Sequence, residues 1–138
     1  MEAKYKGIDV SKWQGDINWE KVRASGVEFA MLRAGFGRCQ GQNDTSFERN
    51  YREAKKNGIL VGAYHYRYAK TVSDAEKEAE YFLSLISGKS FEFPVAFDIE
   101  DNSQKNLSRE EISNIVEAFC GRTEKAGYFV SVYANLWW

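Results

Sequence analysis

Five short apolar runs recur along the 138-residue chain, beginning near Lys6, Phe29, Ile59, Phe93 and Tyr128. Their spacing of about 30 residues is the size of one strand–helix unit. Between them, apolar residues fall at helical spacing: Trp19 and Val22, then Phe47, Tyr51 and Ala54, then Ala75, Ala79, Phe82, Leu83 and Ile86, then Ile112, Ile115, Val116 and Phe119. Strands alternating with helices demand right-handed crossovers and a parallel sheet. The fold class is therefore α/β, in one of two forms. One is an open parallel sheet. The other is a partial TIM-like β/α barrel holding only the first five strands and four helices, because a complete barrel needs eight strands and about 250 residues.

Local signals set the expected boundaries. The strands are Lys6–Val10, Phe29–Ala34, Ile59–Tyr66, Phe93–Glu100 and Tyr128–Ala134. Asn18 or Asp16, Thr45 or Ser46, Ser73 and Ser108 are the candidate helix caps, with Glu111 completing a capping box at Ser108. On the third helix, Glu76, Lys77, Glu78 and Glu80 read as a solvated face.

Composition narrows the function. Lys+Arg 19 against Asp+Glu 20 leaves a formal charge of -1, with no basic footprint for nucleic acid or anionic membrane. No apolar run approaches the roughly 18 residues of a membrane span. The N-terminus lacks an apolar signal-peptide core, so the expectation is synthesis in the cytoplasm, with release or export needed to reach an outside substrate. Cys39 and Cys120 form neither a disulfide framework nor a metal-ligand spacing. The chain has no glycine-rich phosphate loop, no Walker A and no G-x-S-x-G elbow. Its one histidine, His65, excludes a histidine-rich metal site and reads as a hydrogen-bonded structural residue behind the cleft. No cofactor is called for.

What remains is carboxylates and aromatics. The fourth run, Phe93-Pro94-Val95-Ala96-Phe97-Asp98-Ile99-Glu100-Asp101, is apolar until it ends in acids, at the strand end where parallel β/α folds build sites. By alternation Val95, Phe97 and Ile99 pack, while Asp98 and Glu100 face a cleft with the small Pro94 and Ala96 beneath. The same parity pairs Tyr64 with Tyr66, Arg33 with Gly35, and Tyr133 with Asn135, and Asp9 ends the first strand. Two carboxylates with rings under a sugar are the equipment of a glycoside hydrolase. Glu100, longer and repelled by Asp98, suits the general acid. Residues i and i+2 of a strand lie on one side of a cleft, with Cα atoms about 6.6 Å apart. Asp98 can therefore orient a substrate N-acetyl group as internal nucleophile, or Asp9 can oppose Glu100 as nucleophile or stabiliser. Two other readings stand beside this one. One is a non-catalytic carbohydrate-binding fragment. The other is an open-sheet interaction domain whose acids hold a divalent ion.

The segments "GIDVSKWQG", "AYHY", "FPVAFDIED" and "VYAN", in this order, resemble glycoside hydrolase family 25, the N-acetylmuramidases of phage endolysins and bacterial autolysins. The resemblance implies an irregular β/α barrel. It also implies cleavage of the β-1,4 bond between N-acetylmuramic acid and N-acetylglucosamine in the peptidoglycan glycan strand. By motif, Glu100 is the proton donor, Asp98 the second acid of the D-x-E, Asp9 the acid of the G-x-D-x-S segment, and Tyr64 a cleft residue. Family members continue beyond "YAN". The expectation is thus one catalytic-type domain over 1–138, C-terminally incomplete, with open sheet edges that favour self-association.

Overall fold

The computed structural model describes residues 6–99 and 107–133. The elements run β1 (Gly7–Val10), a 3-10 turn (Lys12–Gln14), α1 (Trp19–Ala24), β2 (Phe29–Phe36), α2 (Phe47–Lys56), β3 (Leu60–Tyr66), α3 (Val72–Ile86), β4 (Val95–Asp98), α4 (Arg109–Lys125) and β5 (Val130–Tyr133). All four strand pairings are parallel, in the order β1-β2-β3-β4-β5. A doubly wound sheet reverses its strand order at a switch point. This one does not, so the helices fall on one face and the winding is that of a partial β/α barrel. No helix among the described residues is long and apolar enough to cross a membrane.

The main core lies between the outer face of the sheet and the helices. Ala30 and Leu32 of β2, Val61 and Ala63 of β3, and Val95 and Phe97 of β4 are buried there. They meet Phe47 and Ala54 of α2, Ala75, Ala79, Phe82 and Ile86 of α3, and Ile115 and Phe119 of α4. Phe97 stacks on Phe119 with centroids 3.8 Å apart and planes within 6°. His65 also points into this layer. It is fully buried against Phe82 and Phe119, and its Nε2 donates to Gly37 O at 2.7 Å. Burial lowers its pKa to about 4, so the ring is neutral.

The inner face is filled at its lower end. Phe29 stacks on Phe93 at 4.5 Å. Gly62 is required beside them, because a Cβ there would stand 2.5 Å from Met31 Sδ and 2.6 Å from Pro94 O. This plug closes the middle of the inner face, and a cleft opens beyond it at the C-terminal ends of the strands.

Several expectations change in detail. Thr71, not Ser73, caps α3, its side chain accepting the Asp74 N–H at 3.0 Å. β4 spans only Val95–Asp98. Glu78 is 1% exposed rather than solvated. Most consequential, β2 carries a bulge. Arg33 pairs with Tyr64 and Gly35 with His65, leaving Ala34 as an extra residue. Arg33 therefore shares the inner face with Phe36 and not with Gly35. The loop after β2 folds back to hold the bulge, with Phe36 N donating to Gln42 O at 3.0 Å and Asp44 N to Ala34 O at 2.8 Å.

Candidate active site

The register lays the inner-face residues in rows across the sheet. Asp9 aligns with Met31 and Gly62. Arg33 aligns with Tyr64, Ala96 and Ser131. Phe36 aligns with Tyr66, Asp98 and Tyr133. Above the last row opens a cleft of about 410 Å³, lined by Arg33, Phe36, Tyr64, Tyr66, Tyr68 and Asp98, with Ser11, Lys12 and Trp13 as its rim. Ala96, fully buried, is the small residue beneath.

Tyr64 sits at the centre. Burial raises its phenol pKa above the ordinary range, the Arg33 guanidinium opposes that shift, and the Asp9, Asp98 and Asp44 carboxylates add to it. Three acids and one cation thus act on one hydroxyl, which stays protonated and available as a donor. The Tyr64 and Tyr133 rings lie 6.3 Å apart. Partial burial also raises the pKa of Asp9. The cleft therefore unites Arg33, Tyr64, Tyr66 and Asp98; the Tyr133 ring adjoins Tyr64, and the Asp9 charge reaches the Tyr64 hydroxyl from β1. Glu100 and Asn135 lie outside the described residues.

Arg33 is held from behind. Its Nε donates to Asp44 Oδ2 at 2.8 Å, and its guanidinium stands 5.2 Å over the Phe36 ring. The Asp44 carboxylate also accepts the Lys12 N–H and the Ser46 N–H, each at 2.9 Å. One acid so ties the loop after β2 to the turn after β1. That turn is shaped by a capping box, in which Ser11 Oγ accepts from Trp13 N and Gln14 Oε1 accepts from Ser11 N at 2.6 Å. It delivers Trp13, 75% exposed, to the cleft rim.

Sequence reasoning passed over Asp44, Phe36, Trp13 and Tyr68. Tyr68 was within reach, since it continues the i, i+2 series of Tyr64 and Tyr66. Phe36 was hidden by the bulge, and Asp44 had the look of a turn residue. Among the described residues, no group of three or more His, Cys, Asp or Glu is placed to hold a metal ion.

Comparison with known proteins follows the same lines. The pattern described as "Glycosyl hydrolases family 25" matches residues 8–138. Lysozyme M1 of Streptomyces globisporus is 40% identical over 102 residues, covering 70% of this chain and 33% of that protein. The structure of a family 25 glycosyl hydrolase from Bacillus anthracis superposes with TM-score 0.82 at 30% identity, covering 95% of this chain and 60% of that one. The modular autolysin LytC from Streptococcus pneumoniae, solved with a synthetic peptidoglycan ligand, superposes with TM-score 0.82 at 28% identity, covering 94% of this chain and 32% of that one. The chain spans less than half the length of the bacterial curated relatives it matches, at most 44% of any of them. With the β/α winding, the cleft at the strand ends and this match over nearly its whole length, the chain belongs to the glycosyl hydrolases of family 25.

Proposed function

We propose that the chain acts on peptidoglycan as a muramidase, cleaving the β-1,4 bond between N-acetylmuramic acid and N-acetylglucosamine. The observation that carries this reading is a cleft at the strand ends in which Asp98, Arg33 and Tyr64 stand among aromatic rings, with the Asp9 charge acting on Tyr64 from β1. Phe36, Tyr66, Tyr68 and Trp13 supply faces for sugar rings. Two carboxylates favour the positive charge that develops at the anomeric carbon. Glu100, two residues on from Asp98 in the chain, is the general acid that protonates the leaving oxygen. Asp98 orients the 2-acetamido group, or Asp9 stabilises from the first strand. The Tyr64 hydroxyl donates to the carboxylate left charged, and Arg33 and Asn135 hold polar substituents of the sugar.

Lysis of purified cell walls tests it, with wild type beside Glu100→Gln and Asp98→Asn. Loss of a general acid lowers the rate by about 10²–10⁴-fold. Equal rates for wild type and Glu100→Gln would remove Glu100 from the acid role. Binding of walls without lysis by wild type would make the chain a carbohydrate-binding fragment instead.

A further inference from the structure

Glu78 stands out as a buried carboxylate with no part in the chemistry above. It belongs to a charged run of α3, yet it is 1% exposed. A buried ion pair is often no more stable than an apolar replacement of the same volume. Stability alone is therefore a poor reason for an acid at this place, and its contacts offer a better one. Both Glu78 oxygens stand 3.3 Å from the Tyr68 backbone nitrogen and accept its N–H. The Arg67 guanidinium, itself 1% exposed, supplies the neighbouring positive charge. His65 Nε2 lies 3.7 Å from Oε1.

These partners all belong to the end of β3, which is clamped on three sides. Gly37 N donates to Tyr66 O at 3.2 Å, from the loop after β2. Arg67 N donates to Asp98 O at 2.9 Å, on the strand that carries the acid. Tyr68 N donates to Glu78, on α3. The Tyr68 ring meets Tyr66 at 5.4 Å and Phe36 at 5.9 Å, each near edge-on. It also lines two spaces at once. In front is the cleft; behind is a second cavity of about 220 Å³, lined by Gly37, Arg38, Lys70, Asp74 and Glu78 among others. Tyr68 is 47% exposed and its two ring contacts are edge-on, so packing holds the ring only in part and its position depends on its backbone as well.

We propose that Glu78 is a positioning residue: it anchors the end of β3 so that the Tyr68 ring stands as the wall between the cleft and the cavity behind it, and so that Arg67 keeps its backbone bond to Asp98. The role rests on the cleft being a glycan site, as proposed above. Without the anchor the ring swings toward the rear cavity and the glycan loses a stacking face. Binding suffers more than chemistry, so KM rises and kcat changes little.

Two independent readouts test this on the full chain. The first is the Tyr68 amide resonance, followed by NMR through a pH titration. In wild type it moves with a midpoint near 7, the value to which burial pushes the Glu78 carboxyl. In Glu78→Gln that midpoint is absent. The second is the hydrolysis of soluble, un-cross-linked peptidoglycan strands. At pH 8, above the Glu78 midpoint, Glu78→Ala raises KM about tenfold, as expected for a lost hydrogen bond to a charged acceptor. Glu78→Gln, which keeps an acceptor, restores KM to within about threefold of wild type. Tyr68→Ala reproduces the KM defect, and adding Glu78→Ala to it makes matters no worse. A Tyr68 amide indifferent to both variants, or a folded Glu78→Ala with wild-type KM, overturns the proposal. Should Glu78→Ala fail to fold, Glu78→Gln with the amide titration still decides. A wild type inert on peptidoglycan but with a titrating Tyr68 amide overturns the muramidase reading and leaves the anchor standing.

Discussion

Arg33 and Asp44 form a charge pair that the cleft wall depends on: Nε and Oδ2 are 2.8 Å apart, and the Asp44 side chain is wholly buried. Asp44 also takes two backbone N–H groups, so its removal orphans three donors at once. Asp44→Ala should cost about 3–5 kcal/mol, the range for leaving one partner of a buried ion pair uncompensated. Urea denaturation measures this. A second change, Arg33→Met, should recover part of the loss, and no recovery would mean that the backbone contacts dominate.

Two glycines should respond to alanine with opposite signs. At Gly35 a Cβ would stand 2.7 Å from Leu85 Cδ1 and 2.8 Å from the Gln42 backbone oxygen. Gly35→Ala therefore strains the bulge and should cost about 1–3 kcal/mol. Gly121 lies inside α4 with nothing near its missing Cβ. Gly121→Ala should stabilise by up to about 1 kcal/mol through helix propensity. Thermal melts of the two variants provide the comparison, and a stabilising Gly35→Ala would contradict the close approach.

Glu78 and His65 should oppose each other in pH dependence. Burial raises the Glu78 carboxyl from 4.5 to about 7, against the Tyr68 N–H and the Arg67 and Arg38 charges that favour its ionised form. Between those values the folded state binds the extra proton, so stability falls as pH rises through 7. Burial lowers His65 from 6.5 to about 4, so there the unfolded state binds the extra proton and stability falls on acidification. From about 4.5 to 6.5 the two slopes cancel. Glu78→Gln removes one of them. Relative to this variant, wild type should gain stability as pH drops from 7 to 4.5, by at most about 3 kcal/mol. Denaturation midpoints across that range check it, and a constant difference would contradict the assignment.

Self-association is the fourth expectation. Among the described residues, β1 and β5 are the outer strands of the sheet, and Phe129 and Val132 at β5 are 86% and 39% exposed. Open edges beside apolar side chains favour strand pairing between copies. Light scattering at increasing concentration should show dimers or larger species. Phe129→Lys should reduce them, and a monodisperse monomer at high concentration would count against the idea.

Periodicity made the five strands and four helices legible, because burial on both faces of a parallel strand leaves little latitude in residue type. The burial of Val95, Phe97 and Ile99 followed from alternation alone. So did the common face of Tyr64 and Tyr66, and the place of His65 behind the sheet. Two kinds of information escaped. Asp44 was invisible because its role comes from partners at positions 12 and 33, which only the tertiary fold brings near. Glu78 escaped because a charge run on a helix says nothing of which member turns inward, and its partners Tyr68 and Arg67 come from another element.

The extra residue in β2 has a wider consequence. Ala34 works as a phase shifter in an odd–even code: before it, odd positions look to the inner face, and after it even ones do. Deleting one residue here would not shorten a strand end so much as rotate it by half a pleat. The Phe36 ring would turn toward Leu85 and α3, and Arg33 would lose the aromatic face beneath its guanidinium. Any graft of this cleft onto another barrel must therefore carry β2 at its native length, and any alignment that closes a one-residue gap at Ala34 will assign the wrong side chain to the cleft.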